Sequence, residues 1–394
     1  MDQDDLDYRQ QLARRLLSQG IGPNDLDNRA APLTRDALAA APRLAIAFPD
    51  GTRPTPVPIT PVPALDAPLP AADVVVVTWT VDETTALSDV MTPGITRDHW
   101  IRYAHHYADY LPKIRPGAPA RAAQRLGSYC LTTIGTKRVL CFKSELHLNQ
   151  DGVVHPPLGA PGNATLPVKD LFHQIIDETG ASLVITTGTA GAVYSGQDLG
   201  DVVVTRGARF RVQQEFRNAP FRDQRYRSDW EVPTTHFHAA IEIMRGFKAQ
   251  VAQPDFGPPT ASYRPAEATL PTPRPSNPDI RLDGRDMPAF HPILTTDYFE
   301  FGTSSNHLDH AGCAVEMGDA VLGLAVQERA ADGRSAPRWL VIRNCSDPQI
   351  NGALRDTPAK QSVQAMWAVY FYTGFGYWTT VNSALATWAV IAGL

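Results

Sequence analysis

The segment DVVVVTWT at residues 73–80 restricts the fold more than any other part of the chain. Its four consecutive valines are β-branched and favour an extended backbone, and no polar residue alternates with them. A strand with one wet face alternates. One that is apolar throughout is covered on both faces, as in a sheet layered between helices. Further strand candidates are RVLCFKS (138–144), SLVITTG (182–188), DVVVTRGARF (201–210) and RWLVIRN (338–344). Helical patterns lie between them at ETTALSDVM (83–91), VKDLFHQIIDETG (168–180), HAAIEIMRGF (238–247), GCAVEMGDAVLGLAVQ (312–327) and KQSVQAMWAVYFYTGF (360–375). The alternation predicts an α/β fold with a central sheet flanked by helices.

Residues 1–72 differ in character. Amphipathic patterns near Tyr8–Leu17 and Thr34–Ala41 predict short helices, and the proline-dense run RPTPVPITPVPALDAPLP must be extended. This part reads as an N-terminal helical and proline-rich extension, strapped onto an α/β domain at 73–394. A second proline-rich stretch at about 250–280 reads as an insertion in that domain. The net charge of -5 leaves no basic footprint for nucleic acid. The acidic N-terminus is unlike a signal peptide and the apolar tail SALATWAVIAGL is too short for a bilayer, so a cytoplasmic protein with no membrane partner is expected. Cys130, Cys141, Cys313 and Cys345 lack metal-ligand spacing and read as buried free thiols.

The strand at 182–188 runs into the loop GTAGAV. It lacks the Gly-Lys-Ser/Thr ending of a P-loop and the spacing of a dinucleotide-binding turn. Alone it is equally a tight turn without a ligand. Three further segments follow it in order: DLGDVVV (198–204), VEMGDA (315–320) and VIRNCSD (341–347). As an ordered set these resemble the purine nucleoside phosphorylase / methylthioadenosine nucleosidase superfamily, on its nucleosidase-like branch. Its members show a Gly-Ser/Thr-Ala/Cys-Gly loop, a Gly-Asp-Val-Val-Val strand, a Val-Glu-Met-Glu helix and an Arg-x-x-Ser-Asp strand end. FKSELH (142–147) and TTDYFE (295–300) agree with two quieter family segments. The resemblance covers roughly residues 73–210 and 290–394. It implies a central mixed, partly barrel-like sheet flanked by helices, a purine nucleoside or nucleotide substrate, no cofactor, and a homo-oligomer, either dimer or hexamer.

Cleaving a purine N-glycoside requires a proton for the leaving base and a nucleophile at C1′, and paired carboxylates are a general solution for glycosides. By resemblance Asp347 is the acid, oriented by Ser346, and as a donor it needs a pKa raised by burial. Without the resemblance it reads as an Asp-Pro turn initiator. Glu83 falls on the family's water-activating glutamate, with Asp82 the alternative if the register slips. A first-turn glutamate is also explained by the helix dipole alone. Phe299 falls where the family stacks a ring on the base, worth ~1–3 kcal/mol, or it is core. Met317 matches the residue packed on the sugar, and Thr187, Thr189, Ala190 and Gly191 would line the sugar or base side.

One departure stands out. The family's second glutamate, which binds the ribose hydroxyls, is replaced by Gly318. A glycine within a helix costs ~1 kcal/mol against alanine, which suggests that something comes close. Asp319 is displaced by about 100° around a helix, so Glu316 or a helix distortion would have to compensate.

Phosphorylases of the bacterial hexameric type place an arginine just before the glycine loop; here Thr186 occupies that position. Without the guanidinium a reacting phosphate loses its bidentate partner, so water is the expected nucleophile. A 5′-phosphate would be held by Lys143, His147, Arg209 and Arg211, unless those arginines are a solvated strand edge. His307, Asp309 and His310 in NHLDHAG invite a metal reading, but no further ligand is visible and no metal is expected. The expected activity is hydrolysis of a purine nucleoside or nucleotide, an adenine nucleotide such as AMP or ATP among the candidates. The alternatives are a phosphate-dependent phosphorylase and a non-catalytic purine nucleotide sensor, the latter motivated by Gly318. Nucleotide-cleaving members of the superfamily with extra segments of this kind serve in antiviral defence, a link by analogy.

Overall fold

A computed structural model describes residues 44–148, 152–153, 164–229, 231–251, 277–283, 286, 291–354, 356 and 363–394. The two N-terminal amphipathic segments, and most of 147–167 and of 250–280, lie outside the described residues. In chain order the elements are β1 (Thr55–Pro56), β2 (Val74–Thr78), α1 (Val81–Met91), β3 (Ile101–Tyr103), β4 (Gly127–Ile134), β5 (Lys137–Ser144), α2 (Pro167–Thr179), β6 (Leu183–Ala192) and β7 (Val202–Thr205). They continue with β8 (Gly207–Phe210), β9 (Arg225–Arg227), α3 (His238–Gly246), β10 (Ile280–Leu282), β11 (Ile293–Thr295), β12 (Ala314–Glu316), α4 (Asp319–Ala331), β13 (Arg338–Asp347) and α5 (Val363–Ala392).

The valine run behaves as its composition requires. Val75 and Val77 pack with Leu171, Phe172 and Ile175 of α2 and with Val321 and Leu324 of α4, whereas Val74 and Val76 pack with Leu87 and Val90 of α1 and Leu385 and Trp388 of α5. Alternate side chains thus enter two cores on opposite faces, each burial worth ~1.5–3 kcal/mol. The result is a mixed sheet flanked by helices.

The sheet is branched, and β6 is its fork. Along one edge β6 pairs in parallel with β13, from Leu183↔Arg338 to Gly191↔Asp347. On the other edge β2 pairs with Leu183–Thr186 in parallel, and β12 pairs with Gly191 and Ala192 in antiparallel sense. Residues 187–190 lie between these two partners with no strand on that edge. Beyond β12 the order continues through β11 and β8 to β9, and beyond β2 through β5 and β4 to β1.

Three elements differ from the sequence expectation. The helix expected over 312–327 is β12 followed by α4, so Gly318 is an N-cap rather than a helix-interior residue. The strand expected over 201–210 breaks at Arg206, whose N–H donates to Asp283 Oδ2 at 2.8 Å instead of to a neighbouring strand. The helical pattern at 360–375 and the apolar tail form one helix, α5, of 30 residues. It lies across the sheet, with Ser383 donating to Asn344 Oδ1 at 2.8 Å and Thr387 to the Thr187 hydroxyl at 3.1 Å. Among the described residues no helix is long and apolar enough to cross a membrane.

The proline run lies along the sheet edge, where missing N–H groups are tolerated. Thr55 and Pro56 pair with Thr133 and Thr132 of β4, Val57 N–H donates to Leu131 O at 2.7 Å, and Ala104 N–H donates to Leu65 O at 2.7 Å. All four cysteines are buried and unpaired.

Candidate active site

A cavity of about 80 Å³ opens where β6 lacks a neighbour. Of the residues singled out in the sequence, Glu83, His147, Thr189, Ala190, Gly191, Phe299, Glu316, Met317, Ser346 and Asp347 line it. The two carboxylates expected to act together therefore open onto one space, although 264 positions separate Glu83 from Asp347 in the chain (347 − 83).

Glu83 is placed by local sequence. Thr80 caps α1 and Glu83 stands at its third position, so each side chain binds the other's backbone N–H in a capping box. Glu83 Oε2 accepts from Thr80 N at 2.9 Å, Trp79 N at 3.0 Å and Thr78 Oγ1 at 3.1 Å. Its Oε1 reaches the bare edge of β6 and accepts from Thr189 N at 2.7 Å and Thr189 Oγ1 at 2.8 Å. Gly188 makes this possible: its φ is +150°, and a Cβ there would lie 2.3 Å from Glu83 Oε1. Burial opposes the charge of Glu83, but the Arg343 guanidinium and these donors outweigh it and hold the carboxyl below the usual range.

Asp347 has the opposite environment. It is 7% exposed at the end of β13. Oδ1 accepts from Ser346 Oγ at 3.0 Å, while Oδ2 is buried with no hydrogen-bond partner among the described residues. Gly191 gives it room, since a Cβ there would lie 2.9 Å from Oδ2. Burial pushes the carboxyl up to about 7, with only the Ser346 hydroxyl pulling the other way. One carboxyl is thus kept charged and the other is poised to hold a proton near neutrality, the division of labour that acid–base chemistry requires.

The centre of the site is Arg343, on β13 and buried. Its Nε and Nη2 form a bidentate pair with Asp319 at 2.9 and 2.6 Å. Nη2 also lies 3.4 Å from Glu316 Oε2, and Nη1 lies 3.5 Å from Glu83 Oε1. One cation therefore faces three carboxylates. Glu316 in addition accepts from Gly318 N at 2.5 Å, Asp319 N at 3.0 Å and the Thr295 hydroxyl, so it caps α4. Burial and the neighbouring Asp319 charge push Glu316 above the usual carboxylate range, against the pull of Arg343. A proton on Glu316 relieves the excess negative charge.

Several sequence expectations are corrected here. The Thr187 hydroxyl is bonded to Thr387 of α5 and does not line the cavity. Lys143 is buried in an ion pair with Glu145, which also binds Arg125 at 2.6 Å, so it is not available to a substrate phosphate. Arg209 stands on β8 outside the cavity lining. Arg211 binds a lining residue, Glu300, at 3.0 Å. Asp319 is held by Arg343 and is not a lining group. Gly318 does not line the cavity either. A Cβ on it would lie 3.3 Å from the Trp79 ring, so the indole fills the volume that a side chain at 318 would need.

Trp79, Arg343 and Tyr372, not among the candidates, also line the cavity. The Trp79 ring lies 4.8 Å from the Arg343 guanidinium carbon, meets His147 edge-on at 5.9 Å, and donates its N–H to Leu146 O at 3.1 Å. The signal for Arg343 was a lone charge inside the apolar strand RWLVIRN. Trp79 gave none, being one more apolar residue after four valines.

No protein-family model and no curated protein matches the chain. Solved structures similar to it include the 5′-methylthioadenosine/S-adenosylhomocysteine nucleosidase of Neisseria meningitidis in complex with methylthio-immucillin-A, at 15% identity and TM-score 0.41, covering 82% of this chain and 100% of that one. The futalosine hydrolase of Helicobacter pylori is similar at 11% identity and TM-score 0.41, covering 82% and 97%. The Streptococcus pneumoniae nucleosidase with the inhibitor MT-ImmA is similar at 17% identity and TM-score 0.39, covering 81% and 98%. A likeness of this degree assigns no residue a role.

Proposed function

We propose that this chain hydrolyses the N-glycosidic bond of a purine nucleoside or nucleotide and releases the free base. The observation that carries this reading is Asp347: a buried carboxyl, one oxygen unpartnered, facing the same cavity as Glu83 and the Phe299 ring. Asp347 would give its proton to N7 of the base as the bond from C1′ to the base nitrogen breaks. Water would supply the oxygen at C1′ and lose a proton to Glu83. Even with a proton on Glu316, Glu83 and Asp319 outnumber the one guanidinium and leave the sugar side net negative, which suits the positive charge developing at C1′. Ser346 holds Asp347, and Phe299 and Met317 enclose the base and sugar.

Two features favour a second reading, a purine nucleotide sensor without turnover. Glu83 is saturated with donors, which makes it a weak base until Thr189 or Arg343 lets go. The cavity is also below the ~300–1,000 Å³ of small-molecule sites, so a nucleoside enters only if lining side chains move. The test is chromatography of adenosine, methylthioadenosine, AMP and ATP after incubation with purified protein. Free base without added phosphate supports hydrolysis. Base only with phosphate selects a phosphorylase, and calorimetric binding without base selects the sensor. The phosphorylase is disfavoured because Thr186, at the expected arginine position, is wholly buried.

A further inference from the structure

The loop after Phe299 carries a second group of chemically able side chains, away from the cavity. Its backbone is well held. Asn306 accepts from Thr303 N at 3.0 Å and donates to Phe301 O at 2.8 Å, Leu308 is buried, and Tyr194 OH donates to Asp309 O at 3.2 Å. His307 takes a left-handed conformation with φ 53°, which brings its ring parallel to that of His310 at 5.5 Å. One donor atom each from His307, Asp309 and His310 lies within 4.8 Å of the others.

A fourth group, an imidazole, lies nearby, outside that 4.8 Å cluster. His291 packs its ring edge-on at 6.5 Å against Tyr194, the residue whose hydroxyl donates to Asp309 O. Its Nδ1 is buried with no hydrogen-bond partner among the described residues. A buried imidazole nitrogen without a partner is costly in an apolar setting and well suited to a metal.

We propose that His307, Asp309 and His310, joined by His291, form a binding site for a divalent transition cation of the zinc type. Imidazole nitrogens disfavour magnesium and calcium, which take oxygen ligands, and select the later first-row metals. Tetrahedral zinc at ~2.0–2.2 Å from its ligands sets them roughly 3.4 Å apart. The 4.8 Å spread of His307, Asp309 and His310 closes to that by rotating two exposed imidazoles, and His291 would have to swing in to complete the set. The site would tie the loop that follows Phe299 to the segment entering β11, so it is structural with respect to the cavity.

The test uses untagged full-length protein, zinc chloride in competition with a chromophoric chelator, and cobalt(II) absorption as a second readout. One zinc per chain is expected, with a tetrahedral cobalt spectrum. The H307A/H310A variant, altered only at exposed positions, should lose both and weaken zinc by more than the ~10–100-fold that loss of a mere outer partner costs. H291A should weaken zinc and change the cobalt bands. Absence of a stoichiometric site, or zinc affinity unchanged in H307A/H310A, overturns the proposal; unchanged binding in H291A removes the fourth ligand and overturns the four-coordinate form. None of these readouts depends on purine release.

Discussion

Replacing Asp347 by asparagine should stabilise the protein at pH 8 while sharply reducing the proposed base release. Burial lifts the Asp347 carboxyl from 3.8 to about 7. Between those values the unfolded chain ionises this group and the folded chain does not, so rising pH withdraws stability until the folded pKa is passed. Three units at ~1.4 kcal/mol each make that loss about 4 kcal/mol. Asparagine never ionises, but its amide N–H at the unpartnered Oδ2 position costs ~1–3 kcal/mol, which leaves a net gain of about 1–3 kcal/mol at pH 8. The difference between the two proteins is the sharper quantity. From pH 5 to pH 8 the advantage of the variant should grow by about 3 kcal/mol, two units of the titration, whatever the amide itself costs. Urea unfolding of both proteins at the two pH values measures it. In parallel, base release by D347N should fall ~10²–10⁴-fold, and the wild-type rate should decline above pH 7 as the acid deprotonates. A stability difference that does not change with pH would refute the reasoning, because Asp347 would then not hold its proton in the folded protein.

Gly188→Ala should remove activity and destabilise the fold, since its Cβ would lie 2.3 Å from Glu83 Oε1 at a φ of +150°; base release and thermal unfolding report the two effects. Gly318→Ala should be tolerated with a small shift of Trp79, whereas Gly318→Glu should expel the indole from its contact, visible as a red shift and quenching of tryptophan emission. Arg343→Met leaves Asp319, Glu316 and Glu83 without their shared cation and should cost about 3–5 kcal/mol, read by urea unfolding. That loss should shrink at pH 5, where Glu83, no longer held down by the guanidinium, takes up a proton.

The sequence made the layered sheet legible because four valines in a row have only one common environment. It marked most of the cavity lining because those residues sit in short motifs at strand ends. It did not show what those side chains do to each other. The Val-Glu-Met-Gly-Asp stretch looks helical by spacing, yet β12 pairs with β6 and delays the helix to Asp319, a tertiary contact that periodicity does not contain. Lys143 and Arg209 were misplaced for a related reason. Proximity along a strand does not reveal that Glu145 claims the lysine or that Arg209 stands outside the cavity lining. Glu83 was found, but its double duty in the capping box becomes visible only when Thr189 arrives from more than a hundred residues away.

The interruption along β6 has a consequence for how such a protein changes over time. At residues 187–190 a side-chain carboxylate stands in for a missing neighbour strand, so part of the recess is made of main chain, which only substitutions that disturb the backbone or crowd Glu83, such as at Gly188, can alter. Drift in what the recess accepts must then fall mainly on Trp79, Phe299, Met317 and Tyr372, which surround that main-chain patch and owe the sheet nothing.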